Sequence, residues 1–188
     1  DLRERRLGDP EGAFEALTRA FALEAGNEQV HDELARLSEE AGLTDRYAGV
    51  LDEAIDRLED DDILRAGLLT EVARLYDESL GDHERAERAY RRLLELDPDN
   101  PETALPATVA LDRILSGHES WEDLLAVLRA RVRLLDDPVE RKDVLHRMAE
   151  IEESVLERLP EAIDLFREIL LDGDACNGLE ACDPELMT

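Results

Sequence analysis

Aromatic residues make up only 4% of this 188-residue chain, so its core has to be aliphatic. Lysine occurs once, at Lys142, which leaves arginine to carry nearly all positive charge. Acidic residues outnumber basic ones by 49 to 22, a formal charge of −27. That balance repels nucleic acid and anionic membrane surfaces and favours basic protein partners. It also keeps a solvated acidic surface apart from other copies. The two cysteines, Cys176 and Cys182, are too few and too local to define a disulfide scaffold. No apolar run approaches the roughly 20 residues that span a bilayer, which excludes a membrane-inserted helix.

Motifs of chemistry are missing too. There is no glycine-rich phosphate loop, no nucleophile elbow and no Cys-x-x-Cys. The histidines His31, His83, His118 and His146 are dispersed, without a second His or Cys at metal-ligand spacing. Among 49 carboxylates, sequence proximity cannot single out an acid–base couple. The chain therefore reads as a non-enzyme without cofactor or metal. It opens at Asp1 with no signal peptide in view, which reads as a piece of a longer chain; a cytoplasmic address is favoured over a periplasmic or extracellular one. The arginine-for-lysine bias points to a GC-rich bacterial genome.

What is abundant is Ala, Leu, Glu, Arg and Asp, the composition of helices. Apolar residues recur at helical spacing almost throughout, and the two-residue alternation of strands is missing. Asp9-Pro10, Asn100-Pro101 and Asp137-Pro138 each place a capping side chain before a proline suited to the first helical position. The pattern predicts helices over 10–24, 28–41, 45–58, 63–79, 83–96, 102–116, 120–135, 138–157 and 160–171.

The string LGDHERAERAYRRLLELDPDN, residues 80–100, echoes LGDPEGAFEALTRAFALEAGN, residues 7–27. Laid over each other without gaps they share Leu, Gly, Asp, Glu, Ala, Ala, Arg, Leu and Asn. Ala13, Tyr47, Ala86, Leu124 and Ala162 occupy equivalent places, at steps of 34, 39, 38 and 38 residues. The unit is one helical hairpin. A single hairpin cannot bury its apolar face alone, so neighbours must stack.

Three sets of residues carry a family resemblance. They are Leu34-Ala35, Gly42, Leu51 and Ala54; then Val72-Ala73, Tyr76, Gly81, Ala86, Tyr90, Leu93 and Pro98; and last Met148-Ala149, Ala162, Phe166 and Ile169. This pattern resembles the tetratricopeptide repeat over residues 1–172. The resemblance implies an all-α, right-handed α-α superhelix, a solenoid of about five hairpins. Residues 173–188 form a tail, either a partial sixth repeat helix beginning near Gly178 or the start of a different, Cys-rich segment. Tyr47 and Leu124 depart from the family's alanine, and three repeats run long. Pro106 is expected to bend or restart its helix. Trp121 is expected to pack at a hairpin turn after a Ser120 cap.

In this family the first helices of successive hairpins line a concave face that commonly binds a peptide or helix of another protein. Carried over by position, that face comprises Gln29, Asp32, Arg36, Glu39, Glu40, Thr70, Arg74, Asp77, Glu78, His146, Glu150 and Glu153. Arg36 and Arg74 are its cationic members. The lysines and asparagines with which one variant clamps a carboxylate tail are missing there, which disfavours a chaperone-tail receptor. The expected function is a protein–protein interaction scaffold for a protein or peptide, with basic partners favoured. The alternatives are a structural spacer that self-associates end to end, or a regulatory arm of a larger protein whose catalytic part lies elsewhere.

Overall fold

The computed structural model describes residues 9–58 and 60–177, with side chains to 171. All regular structure among them is helical: α1 (Pro10–Leu23), α2 (Glu28–Ala41), α3 (Thr44–Arg57), α4 (Asp62–Arg74), α5 (His83–Leu96), α6 (Pro101–Gly117), α7 (Trp121–Leu134), α8 (Pro138–Ser154) and α9 (Leu159–Asn177). A π-helical turn, Leu75–Leu80, extends α4. The fold is all-α, with four complete hairpins, α2–α3, α4–α5, α6–α7 and α8–α9, among the described residues. Contacts group the chain into two compact units, Asp1–Asp97 and Pro98–Thr188.

Side-chain acceptors fix most helix starts. The carboxylate of Asp9 accepts from Gly12 N–H at 2.8 Å, Asn100 Oδ1 from Glu102 N–H at 3.1 Å, and Asp137 Oδ1 from Val139 N–H at 2.8 Å. Asn27, Asp61 and Asp82 cap α2, α4 and α5 in the same way. Each satisfies an N–H that has no partner inside the helix. Ser120 precedes α7 but its hydroxyl makes no cap bond, contrary to expectation. Gly42 and Gly81 close the first helices of their hairpins at φ 68° and 65°. A Cβ there would meet nothing within 4 Å, so glycine serves for its backbone alone.

In the first unit, α1 packs on α2 and α3, α2 on α3, α3 on α4, and α4 on α5. The small residues that mark the repeat, Ala13, Ala73 and Ala86, have no exposed surface, and Tyr47, Leu51, Tyr76, Tyr90 and Leu93 fill the space between helices. The longest repeat step, 39 residues from Tyr47 to Ala86, spans the π turn. Such turns take up an extra residue without breaking the helix. Here the turn drives Tyr76 into the core and hands the chain to Gly81, with Asp82 N–H donating to the Tyr76 carbonyl at 2.8 Å.

In the second unit, α6 packs on α7, α7 on α8, and α8 on α9. Its core is Leu111, Leu115, Leu124, Leu128, Leu145 and Ala149. Two polar residues sit inside: Thr108, whose hydroxyl donates to the Leu105 carbonyl at 2.8 Å, and Asp112, 6% exposed. Arg147 of α8 grips both carboxylate oxygens of Asp112, Nη2 to Oδ1 at 2.7 Å and Nη1 to Oδ2 at 2.8 Å. Arg131 of α7 stands 3.9 Å away, and Ser116 lies 3.3 Å from Oδ1. One carboxylate thereby joins three helices.

Two expectations change. Pro106 does not restart its helix: α6 runs unbroken from Pro101 to Gly117. Pro106 is the sixth helical residue and exposed, so the Glu102 carbonyl it leaves unbonded belongs to a solvent-facing first turn. And α9 does not stop at 171; it continues through Gly173 to Asn177, a residue expected in a loop. A single glycine costs a helix only about 1 kcal/mol, and no proline intervenes. Cys176 falls in its last turn. Cys182, the Gly178 stub and the rest of 178–188 lie outside the described residues.

Candidate functional site

Four of the residues expected on the binding face meet in one groove of the first unit. Glu39 of α2 forms one side. Gly67, Thr70, Glu71 and Arg74 of α4 form the other, with Leu75, Glu78 and Ser79 of the π turn. Its volume is about 470 Å³. Thr70 turns its hydroxyl back to the Ala66 carbonyl at 2.8 Å. Gly67 is exposed, with space where a side chain would stand. The wall is thus low at its centre and acidic at its ends. The one cation, Arg74, lies 3.4 Å from Glu78 in an exposed pair of little strength.

The other expected residues of this unit flank the groove or turn away. Gln29, Asp32 and Glu40 are exposed on α2. Arg36 is spent within its own helix, on Glu33 at 2.8 Å and Glu40 at 2.6 Å. Asp77 is withdrawn: its side chain is 6% exposed and lies 3.3 Å from His83 Nδ1. The π turn rotates it out of the helical register that the sequence suggested.

A half-buried polar joint lies beside the groove. The Tyr47 hydroxyl of α3 donates to Glu71 Oε1 at 2.5 Å. His31 Nε2 of α2 lies 2.7 Å from the Tyr47 oxygen and 2.9 Å from Glu71 Oε2. Since Tyr47 gives its proton to Glu71, His31 Nε2–H is the donor in both contacts. Phe21 stacks on the His31 ring at 5.3 Å. The hydrogen bond to Glu71 raises His31 above its ordinary value against the cost of burial, and the charges of Glu71 and Asp32 add to it. Burial pushes Glu71 up, but hydrogen bonds from His31 and Tyr47 and the charges of His31 and Arg74 outweigh it, so the net shift is downward. Burial, then Glu71, pushes the Tyr47 hydroxyl up, so it stays protonated.

These shifts set a pH dependence. The raised His31 contributes stability that is complete below its unfolded value of 6.5 and is lost as pH rises through the higher folded value. The lowered Glu71 contributes above 4.5 and is lost as pH falls through its folded value. The first unit is therefore most stable, as far as this joint is concerned, between 4.5 and 6.5. We expect the urea midpoint of this unit to fall as pH is raised from about 6 to about 9, and the fall to be smaller in His31→Gln. Near-UV dichroism follows it, because all three tyrosines, Tyr47, Tyr76 and Tyr90, belong to the first unit. Equal slopes in both proteins would refute the assignment.

Glu71, His31 and Tyr47 were not expected at the site. The repeat itself held the clue: the 39-residue step from Tyr47 to Ala86 also carries Glu39 to Glu78 and Asp32 to Glu71.

The remaining expected residues belong to the second unit. His146 sets its ring edge-on to Phe166 at 5.6 Å. Glu150 lines a shallow groove of about 400 Å³ with Trp121, Arg147, Ile151, Ser154 and Val155. Glu153 is exposed. Trp121 is half-exposed there rather than buried at a turn. Among the described residues no three His, Cys, Asp or Glu side chains converge as metal ligands, and no helix is long and apolar enough to cross a membrane.

Residues 66–100, the end of α4, the π turn and α5, match the tetratricopeptide repeat family. No curated protein matches the chain. Among solved structures, nearly identical TPR-like repeats from Podosopora anserina share 17% identity over 93% of this chain and 92% of that one, at a TM-score of 0.49. MamA shares 14% over 94% and 95%, at 0.48. YrrB, a TPR protein with an unusual peptide-binding site, shares 16% over 93% and 87%, at 0.47. The weight rests on the matched repeat and on the hairpins that flank it. Residues 66–100 are therefore a tetratricopeptide repeat, set within an all-α chain of helical hairpins.

Proposed function

We propose that the chain is a non-catalytic protein–protein interaction scaffold, and that the groove between α2 and α4 holds an extended basic segment of a partner. Tetratricopeptide-repeat proteins generally serve as scaffolds for protein or peptide partners. The observation that carries the finer reading is the groove's charge. Glu39, Glu71 and Glu78 line it against Arg74 alone, and Arg74 is already offset by Glu78. An incoming lysine or arginine would find exposed carboxylates at both ends and, at Gly67, room for its backbone to approach. Exposed charges of this kind act mainly on association rate and specificity and are screened by salt.

The test is a titration with a fluorescent peptide of alternating lysine and alanine, at low and moderate salt. Glu39→Gln/Glu78→Gln is expected to weaken binding about tenfold at low salt, as two rim charges would. Asp136→Asn/Glu140→Gln, exposed acids of the second unit, is expected to leave it within about twofold. Equal loss in both variants would mean diffuse attraction to an acidic protein and would overturn the groove. No binding at either salt, with self-association of the protein, would favour the spacer role instead.

A further inference from the structure

On the other side of α3, the first unit carries a crevice of opposite character. It is lined by Asp52 and Asp56 of α3, Tyr76 of the π turn, and Arg85, Arg88, Ala89 and Arg92 of α5, and encloses about 270 Å³. Three guanidinium groups face two carboxylates, in a protein of net charge −27.

Both carboxylates are already engaged. Tyr76 donates its hydroxyl to Asp52 at 2.5 Å, and Arg92 Nη2 holds Asp56 at 2.7 Å. Arg85 lies over the Tyr76 ring at 4.4 Å and is tied to Asp82 at 2.6 Å and Asp45 at 2.8 Å. Burial and Asp52 push the Tyr76 hydroxyl up to about 12, so it remains a donor committed to Asp52. Arg88 differs. It is exposed, lines the crevice and makes no close hydrogen bond or ion pair among the described residues, although its charge acts on Asp82. A planar fork of donors beside a second guanidinium is the arrangement that takes an oxyanion in bidentate fashion.

We propose that this crevice binds one anionic side chain of a partner peptide, a carboxylate or a phosphoryl group, through Arg88 with Arg92 beside it. The site is distinct from the groove between α2 and α4 and takes ligands of the opposite sign. A scaffold with both could hold two segments of different charge at once.

The experiment is an NMR titration that follows the arginine Nε–H signals of the whole chain. Three probes are added separately: a short glutamate peptide in a glycine–serine frame, the same peptide with phosphoserine in place of glutamate, and inorganic phosphate. The expected result is saturable movement of the Arg88 and Arg92 signals with at least one peptide. Arg88→Gln should weaken that binding about tenfold or more, while Arg133→Gln, an exposed arginine of α7, should leave it unchanged. Tighter binding of the glutamate peptide identifies a carboxylate ligand, and tighter binding of the phosphopeptide a phosphoryl one. Movement with inorganic phosphate alone, unsaturated or uniform shifts across all arginines, or no response to Arg88→Gln, would each overturn the proposal. Backbone spectra of Arg88→Gln that match the parent's exclude loss of fold as the cause.

Discussion

Asp112→Ala is expected to destabilise the second unit by about 1–3 kcal/mol, because the Arg147 guanidinium it leaves behind is nearly half exposed and water takes it up. Asp112 is 6% exposed and is the group on which α6, α7 and α8 converge. Without it, Arg147 loses a two-point hold, and the nearby Arg131 faces an apolar wall. Arg147→Met should cost more than Asp112→Ala, because it leaves a buried carboxylate with only Arg131 at 3.9 Å and the Ser116 hydroxyl at 3.3 Å. The sole tryptophan, Trp121, belongs to this unit, so its fluorescence in urea reports on the second unit. The tyrosine dichroism of the first unit should keep its midpoint. A drop of less than about 1 kcal/mol by tryptophan fluorescence would mean that the triad is ornamental.

Tyr47→Ala is expected to destabilise the first unit by about 3–5 kcal/mol. Tyr47 is 1% exposed and stands where three of the other hairpins have alanine, at Ala13, Ala86 and Ala162. Its ring fills space between helices, while its hydroxyl satisfies Glu71 and His31. Tyr47→Phe separates the two contributions. It keeps the ring and removes one hydrogen-bonding hydroxyl from a half-buried site, for which about 1–3 kcal/mol is expected. Urea unfolding followed by far-UV dichroism, with the tryptophan midpoint as the internal reference, measures both. Equal losses in the two variants would show that the hydroxyl network, rather than packing, holds the joint.

Much of this was legible in the sequence, for identifiable reasons. Helix starts follow from acceptor side chains placed before prolines or apolar runs, a local rule that needs no tertiary knowledge. Gly42 and Gly81 end helices because the left-handed backbone there is cheap only for glycine. The hairpin pairing follows from the spacing of Ala13, Tyr47, Ala86, Leu124 and Ala162. Other features had no local mark. The π turn is a change of hydrogen-bond register that composition does not announce, and Asp77, which helical spacing assigns to the face, lies within it and is withdrawn toward His83. Asp112 is one of 49 acidic residues, and Arg147 lies 35 positions further along. Glu71 lay within reach of the repeat arithmetic, but only with the local step of 39 rather than an average period. Pro106 does not restart α6, because the cost of a proline depends on where in the helix it falls.

The two grooves of the first unit follow from one device. With α3 packed between α2 and α4, acids of α2 and α4 face one side while arginines of α5 face acids of α3 on the other. The paired arginines keep neighbouring second helices together, and the excess acids are left for the first helices to present.

The claim at the centre is that α2 and α4 together form the surface for a basic segment. Hydrogen–deuterium exchange of the full chain, with and without a saturating lysine–alanine peptide, tests it most directly. Slowed exchange is expected in α2, α4 and the π turn, with α6–α9 unchanged. Protection spread evenly over the acidic surface, or confined to the second unit, would contradict it.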